Sequence, residues 1–277
     1  MTNSMTRRAL LSSVSTIAAI ALLPGIAQAQ ATTCSQTGTA ITCVDGAATV
    51  LTGTTNATTT TLPGPGLRTI GVGGPSTTTY VATGPISTTA TPAVTLTSAA
   101  GPLSFPPSGT TASLNIATTG GVAANGLTLA TPGQAATVIV GNIATTGTSS
   151  FGVLATGGSD LTLRTGNVSA TGTISIGVDA GLQTGNVNVT TGDITSAGRA
   201  ARIITANTGT TTVATGNINA GASGLLANGG TVSVTTGNVV TSTNGGTTTG
   251  GFGVAAQAFT GNVTVRTGTV NAANGIG

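Results

Sequence analysis

Lysine, glutamate, histidine and tryptophan are all missing from this 277-residue chain, and aromatic residues make up only 2% of it. Without histidine or glutamate, aspartate is the one ordinary general base left, and no Ser-His-Asp or Cys-His arrangement can be assembled. Charged residues are 4% of the chain: seven arginines (7, 8, 68, 164, 199, 202, 266) and four aspartates (45, 160, 179, 193). So few charges, with 44 glycines and nearly a quarter threonine, would fit low-complexity disorder. Disorder, however, goes with low hydrophobicity and high net charge, whereas mean hydropathy here is +0.39 and Val, Ile and Leu recur periodically. The composition therefore points to ordered β-structure. The formal charge of +3 includes Arg7 and Arg8. Those two lie in a leader, and without them five arginines face four aspartates. That balance is no footprint for nucleic acid or an anionic membrane.

Residues 1–29 have the form of a secretory signal peptide. Arg7 and Arg8 form a charged n-region, Ala9 to Leu23 an apolar stretch, Pro24-Gly25 a break, and Ala27-Gln28-Ala29 a small-x-small site, which places cleavage between Ala29 and Gln30. An uncleaved helical anchor needs roughly 18–20 unbroken apolar residues, and Ser12, Ser13, Ser15 and Thr16 interrupt this one. Thr6-Arg7-Arg8-Ala9-Leu10-Leu11 also resembles a twin-arginine export signal, so the export route stays open. Two cysteines follow, Cys34 and Cys43, in Cys-Ser-Gln-Thr-Gly-Thr-Ala-Ile-Thr-Cys. The spacing is not C-x-x-C and no histidine accompanies it, which argues against a metal or redox pair. In an exported chain, a hairpin centred on Thr37-Gly38 and closed by a Cys34–Cys43 disulfide is the expectation, contributing about 2–3 kcal/mol. Residues 30–100 are rich in Thr, Gly and Pro, with breakers at Leu62-Pro63-Gly64-Pro65-Gly66 and Gly84-Pro85. They are expected to form an N-terminal cap.

From about residue 101 to 277 the chain repeats itself. Gly-Asn-(Val/Ile) recurs, preceded by a Val-x-Val element whose first residue falls at Leu114, Val138, Leu161, Val187, Thr211, Val232 and Val263, a unit of about 25 residues. Each unit holds three short apolar alternations. The first includes Leu161-x-Leu163 and Val187-x-Val189; the second begins at Val168, Ile194, Ile218, Val239 and Val270; the third reads Val153-x-Ala155, Val178-x-Ala180, Ile203-x-Thr205, Leu225-x-Ala227 and Val254-x-Ala256. Period-two alternation sets each pair on one face of a strand. Three strands per unit predict a right-handed parallel β-helix with inward Val, Ile and Leu ladders. Gly and Asn are expected at the corners, where turns call for positive φ. A propeller blade needs about 40–50 residues, and a calcium-binding repeat solenoid needs far more Asp.

Function must then sit on outward positions. Along the first strand these read Thr162/Arg164, Asn188/Thr190, Thr212/Ala214, Ser233/Thr235 and Thr264/Arg266, a small, polar, β-favouring face. Arg199 and Arg202, in Ala-Gly-Arg-Ala-Ala-Arg, break the third-strand consensus and are the candidate contacts for an anionic ligand. Asp160 ends a loop, Asp179 takes an outward position and Asp193 replaces the Asn of Gly-Asn-Ile. Sugar cleavage needs two carboxylates within about 5–10 Å across one cleft, and these three are out of register. The Gly-x-Gly patterns lack the strand-to-helix setting of a phosphate loop. No cofactor, metal or catalytic residue is expected.

Taken together, the leader, the Cys34…Cys43 opening and repeats such as Val232-Ser-Val-Thr-Thr-Gly-Asn-Val-Val-Thr and Val187-Asn-Val-Thr-Thr-Gly-Asp-Ile-Thr resemble the passenger region of autotransporters, the type V secreted surface proteins of Gram-negative bacteria. The resemblance covers nearly the whole chain. It implies a β-helix displayed at the cell surface for adhesion or biofilm formation, with host-surface, polysaccharide or self-association partners. It also implies a C-terminal β-barrel translocator in the outer membrane. This chain carries no such barrel, and it is expected to be a fragment or a truncated paralogue. A Thr-rich ice- or surface-binding solenoid and a polysaccharide-active β-helix enzyme are the alternatives.

Overall fold

In the computed structural model, the described residues are the strands and a few adjoining positions between Cys34 and Phe105, and the continuous stretches 115–205, 208–242 and 251–273. The leader with Ala29 and Gln30 falls outside them, as does Leu114. The strands form three sheets, numbered here in the order in which each coil visits them. Among the described residues sheet 1 has 11 strands, sheet 2 has 8 and sheet 3 has 9, and each coil's strand lies beside its equivalent in the next. All strand pairings among the described residues are parallel except at the start, where Cys34–Thr37 lies antiparallel to Ala40–Cys43 and sets Cys34 opposite Cys43. The chain is thus an all-β parallel β-solenoid. The ladders run back through the Thr/Gly/Pro-rich segment as well: Ala48–Thr54 pairs with Leu67–Val72 in sheet 3, and Thr59–Leu62 with Thr78–Ala82 in sheet 1.

Alternation decides which side chains are inside. Leu161, Val187 and Val232 share one inward row of sheet 1, Ile143, Val168, Ile194 and Ile218 one row of sheet 2, and Leu127, Val153, Val178 and Leu225 one row of sheet 3; all are buried. Stacking, more than the single coil, buries them. Val232 is 1% exposed, whereas Val263, its row partner in the last described coil, is 45% exposed. Each such side chain contributes about 1.5–3 kcal/mol once covered. Thr211 is the polar member of the sheet 1 row; its hydroxyl donates to the Asn228 carbonyl at 2.8 Å, so no buried donor is orphaned there.

Two registers differ from the sequence expectation. Leu161 pairs with Ala136 and Ala136 with Leu103, so the coil markers are Ala136 and Leu103, not Val138. In sheet 3, Val178 pairs with Ala201 and Ala180 with Ile203, so the equivalent element is Ala201-x-Ile203 and not Ile203-x-Thr205. Both shifts are by two residues. A two-residue slip keeps every side chain on its own face, so hydrophobic alternation cannot detect it.

The corners between sheets 1 and 2 correct a third expectation. Gly166, Gly192, Gly216, Gly237 and Gly268 do not have positive φ; among the described residues that conformation belongs to Gly120, Gly121, Gly133 and Gly157 and to Ala90, Ala123, Ser149 and Ile174. The corner glycines are needed for lack of space. A Cβ on Gly166, Gly192, Gly216, Gly237 or Gly268 would fall on Oδ1 of the Asx one coil earlier: Asn142, Asn167, Asp193, Asn217 or Asn238. Each of those oxygens accepts the backbone N–H of the following coil's corner residue, at 2.7–2.9 Å, in an unbroken chain from Asn115 to Thr269. The intervals are 27, 25, 26, 24, 21 and 31 residues, so the ladder tolerates coils of unequal length. A preceding threonine completes the motif: the hydroxyls of Thr165, Thr191, Thr215 and Thr236 each donate to the carbonyl of the next glycine at 2.9–3.0 Å.

Gly192→Ala should therefore displace the Asn167 side chain and break its bond to the Asp193 N–H, costing about 1–3 kcal/mol. Thr195→Ala, on the exposed side of sheet 2, should stay within about 0.5 kcal/mol of the parent. Thermal unfolding followed by circular dichroism separates the two. Equal melting temperatures would mean that the corner glycine is not holding the ladder.

Candidate functional site

The outer face of sheet 1 presents two regular rows of side chains. Because the sheet is parallel and in register, Thr137, Thr162, Asn188, Thr212, Ser233 and Thr264 form one row along the solenoid axis, about 4.8 Å apart. Two residues along each strand, a second row contains Ile139, Arg164, Thr190, Ala214, Thr235 and Arg266. The outward pairs are those expected from the alternation. Hydroxyl and amide groups at fixed spacing offer donors and acceptors without titrating.

The four arginines whose side chains are described divide into two kinds. Arg202 lies beside Asp179 in sheet 3, one coil on, and holds its carboxylate through Nε (3.0 and 3.1 Å) and Nη2 (2.6 Å). Asp179 occupies an outward register between Leu154 and Arg202, yet it is buried, its side chain 2% exposed against 41% for Arg202. The hydrogen bond to Asp179 and its negative charge raise the Arg202 pKa, while desolvation opposes them. Arg199 sits with its guanidinium carbon 5.7 Å from the centroid of the Phe252 ring, and its Nε is buried without a hydrogen-bond partner. The two arginines singled out from sequence are thus engaged within the chain. Arg164 and Arg266 are exposed and, among the described residues, make no ion pair.

The Asp179–Arg202 pair carried a signal in sequence: opposite charges 23 residues apart, close to one coil. The two-residue misalignment of the third strand set Ile204 against Asp179 and hid it.

Asp160 and Asp193 are ladder residues. Asp193 Oδ1 accepts the Asn217 N–H at 2.7 Å, and Asp160 Oδ1 accepts the Asn186 N–H at 2.7 Å at the corner leading into sheet 1. Asp160, Asp179 and Asp193 belong to three different parts of the coil, so no two of them face one another across a cleft. Among the described residues no three potential metal ligands converge, and no helix is long and apolar enough to cross a membrane. Open hollows mark the surface of the described residues, two of which concern the residues above. One, of about 400 Å³, lies at the corner between sheets 1 and 2 and is lined by Asn115, Ile139, Val140, Asn142, Arg164 and Thr165, with Gly141 and Gly166. The other, of about 200 Å³, lies over sheet 2 near Thr195 and Asn219. No family model, no curated protein and no solved structure matches this chain.

Proposed function

We propose that the chain is an exported, non-enzymatic β-solenoid displayed at or beyond the cell surface, with an adhesin-like or structural role of the kind its resemblance to autotransporter passengers implies. The six-member outward row of sheet 1, from Thr137 to Thr264, carries this reading. It is repetitive, uncharged and of small side chains, so contacts along it are individually weak and add through multivalency. Export is supported by the leader ending at Ala29 and by the register that sets Cys34 opposite Cys43, where an oxidising compartment would join them.

Expression of the whole chain in a Gram-negative host, followed by fractionation and intact-mass analysis, tests the export. The product is expected outside the cytoplasm, beginning at Gln30, with no thiol open to alkylation before reduction. Recovery of the chain in the cytoplasm with its leader attached and two free thiols would sink the reading. Distribution of the contacts is tested by excising Thr211–Thr231, one register unit, since Thr211 pairs with Val232. Cells displaying the shortened solenoid should adhere more weakly but still adhere; complete loss with the fold retained would point to a single discrete site.

A further inference from the structure

We infer that the outer face of sheet 1 takes a linear acidic polysaccharide, laid along the solenoid axis with its anionic groups on Arg164 and Arg266; this rests on reading that face as the binding surface. The two arginines occupy the same row of the same sheet, separated by Thr190, Ala214 and Thr235. Four interstrand steps set them about 19 Å apart. Among the described residues neither guanidinium has a carboxylate partner, unlike Arg202, and both are exposed and placed to fork onto a carboxylate or sulfate.

The surroundings of Arg164 are those of a donor site. Arg164 borders the 400 Å³ hollow together with Asn115 and Asn142. Asn115 Oδ1 already accepts the Asn142 N–H at 2.9 Å, and Asn142 Oδ1 accepts the Asn167 N–H at 2.8 Å. Both side chains still have their NH₂ donors to offer. A guanidinium and two amide donors, with Ile139 and Val140 also lining the hollow and no carboxylate in it, match an anionic sugar ring with acceptor oxygens.

Between the two arginines the surface selects among polyanions. Thr162, Asn188, Thr212, Ser233 and Thr264 supply a hydroxyl and amide track suited to sugar hydroxyls. Two cations about 19 Å apart are far too sparse for duplex DNA, with about one charge per 1.7 Å of axis. The two outward rows hold no aromatic ring on which bases could stack. A cluster of about four to eight basic residues, the pattern that holds proteins to anionic lipid, is likewise missing from them.

The test uses the whole mature chain and linear polygalacturonate fragments of defined length, with neutral dextran as the uncharged comparison. At low ionic strength the parent should hold long polygalacturonate at least 10-fold more tightly than dextran, and the preference should fade at about 0.5 M salt. Fragments too short to span both arginines should bind more weakly by a similar factor. Arg164→Gln and Arg266→Gln should each weaken long-fragment binding about 10-fold, and the double variant should bind it no better than dextran. Thr195→Ala should leave it unchanged. Both arginines are exposed, so melting temperatures serve as the folding control. Equal binding of dextran by the parent, or polygalacturonate binding that survives the double substitution, overturns the inference. So does an arginine-dependent affinity for duplex DNA or phosphatidylserine vesicles that exceeds the affinity for the glycan. If the double variant still supports adhesion of displaying cells, the acidic-glycan assignment falls while the distributed-contact reading stands. Failure of leader removal would sink the export reading and leave the purified chain's glycan binding untouched.

Discussion

Replacing Val187 with Asp is expected to unfold the middle of the solenoid. Val187 is 1% exposed, with Leu161 above and Thr211 below it in the inward row. Neither neighbour carries a positive charge, and the Thr211 hydroxyl already donates to the Asn228 carbonyl. The substitution removes a buried aliphatic side chain and introduces an unpaired charge, a combination costing more than about 4 kcal/mol. In a stacked architecture each coil contacts mainly its neighbours, so the damage should be graded along the axis. Hydrogen exchange should rise in the strands Leu161–Arg164 and Thr210–Ala214 and much less in Leu127–Ala130. The melting temperature should fall by roughly 10 °C or more. Asn188→Asp, one residue on but outward and exposed, should barely move it. Equal melting of the parent and Val187→Asp would mean that the inward assignment is wrong.

Cutting Arg202 back to Met should cost about 2–3 kcal/mol, because it strands the Asp179 carboxylate in a site where its side chain is 2% exposed. The figure is set below the roughly 3–5 kcal/mol typical of a broken buried pair, since Arg202 is 41% exposed and solvent screens part of the attraction. Replacing both partners should cost much less. The same outward row holds Leu154 before the pair and Leu226 after it. Asp179→Leu combined with Arg202→Met would therefore continue an aliphatic row, and the double variant is expected near or above the parent in stability. Chemical denaturation of the parent, both singles and the double gives the coupling energy directly. A double variant as unstable as Arg202→Met alone would show that the pair is not what holds this part of sheet 3.

What the sequence determined by itself is the class of structure and the direction of its side chains. Alternation of Val187-x-Val189 or Val168-x-Ala170 is a property of neighbouring residues, and a strand's pleat translates it into inside and outside wherever that strand pairs. The repeat of Gly-Asn-(Val/Ile) made the coils visible for the same reason, since one covalent phrase recurs at each corner. Tertiary structure decided which residue lies beside which in the next coil wherever the recurring phrase is degenerate. The Ala136 and Ala201 registers needed it, because a shift of two residues leaves every face unchanged. The corner glycines needed it too: their constraint is the Oδ1 of an Asx about 25 residues earlier, not the local backbone angle that turn chemistry alone would invoke. Alternation alone set Arg164 and Arg266 on the outward face of the first strand, but only stacking showed that the candidate contacts Arg199 and Arg202 are engaged within the chain, by bringing Asp179 beside Arg202 and Phe252 to Arg199. Where the recurring phrase is intact it gave each coil interval, and Leu161, Val187, Thr211, Val232 and Val263 do pair in that order; where it is degenerate, as before Leu161 and at Ala201, only the three-dimensional neighbours fix the distance.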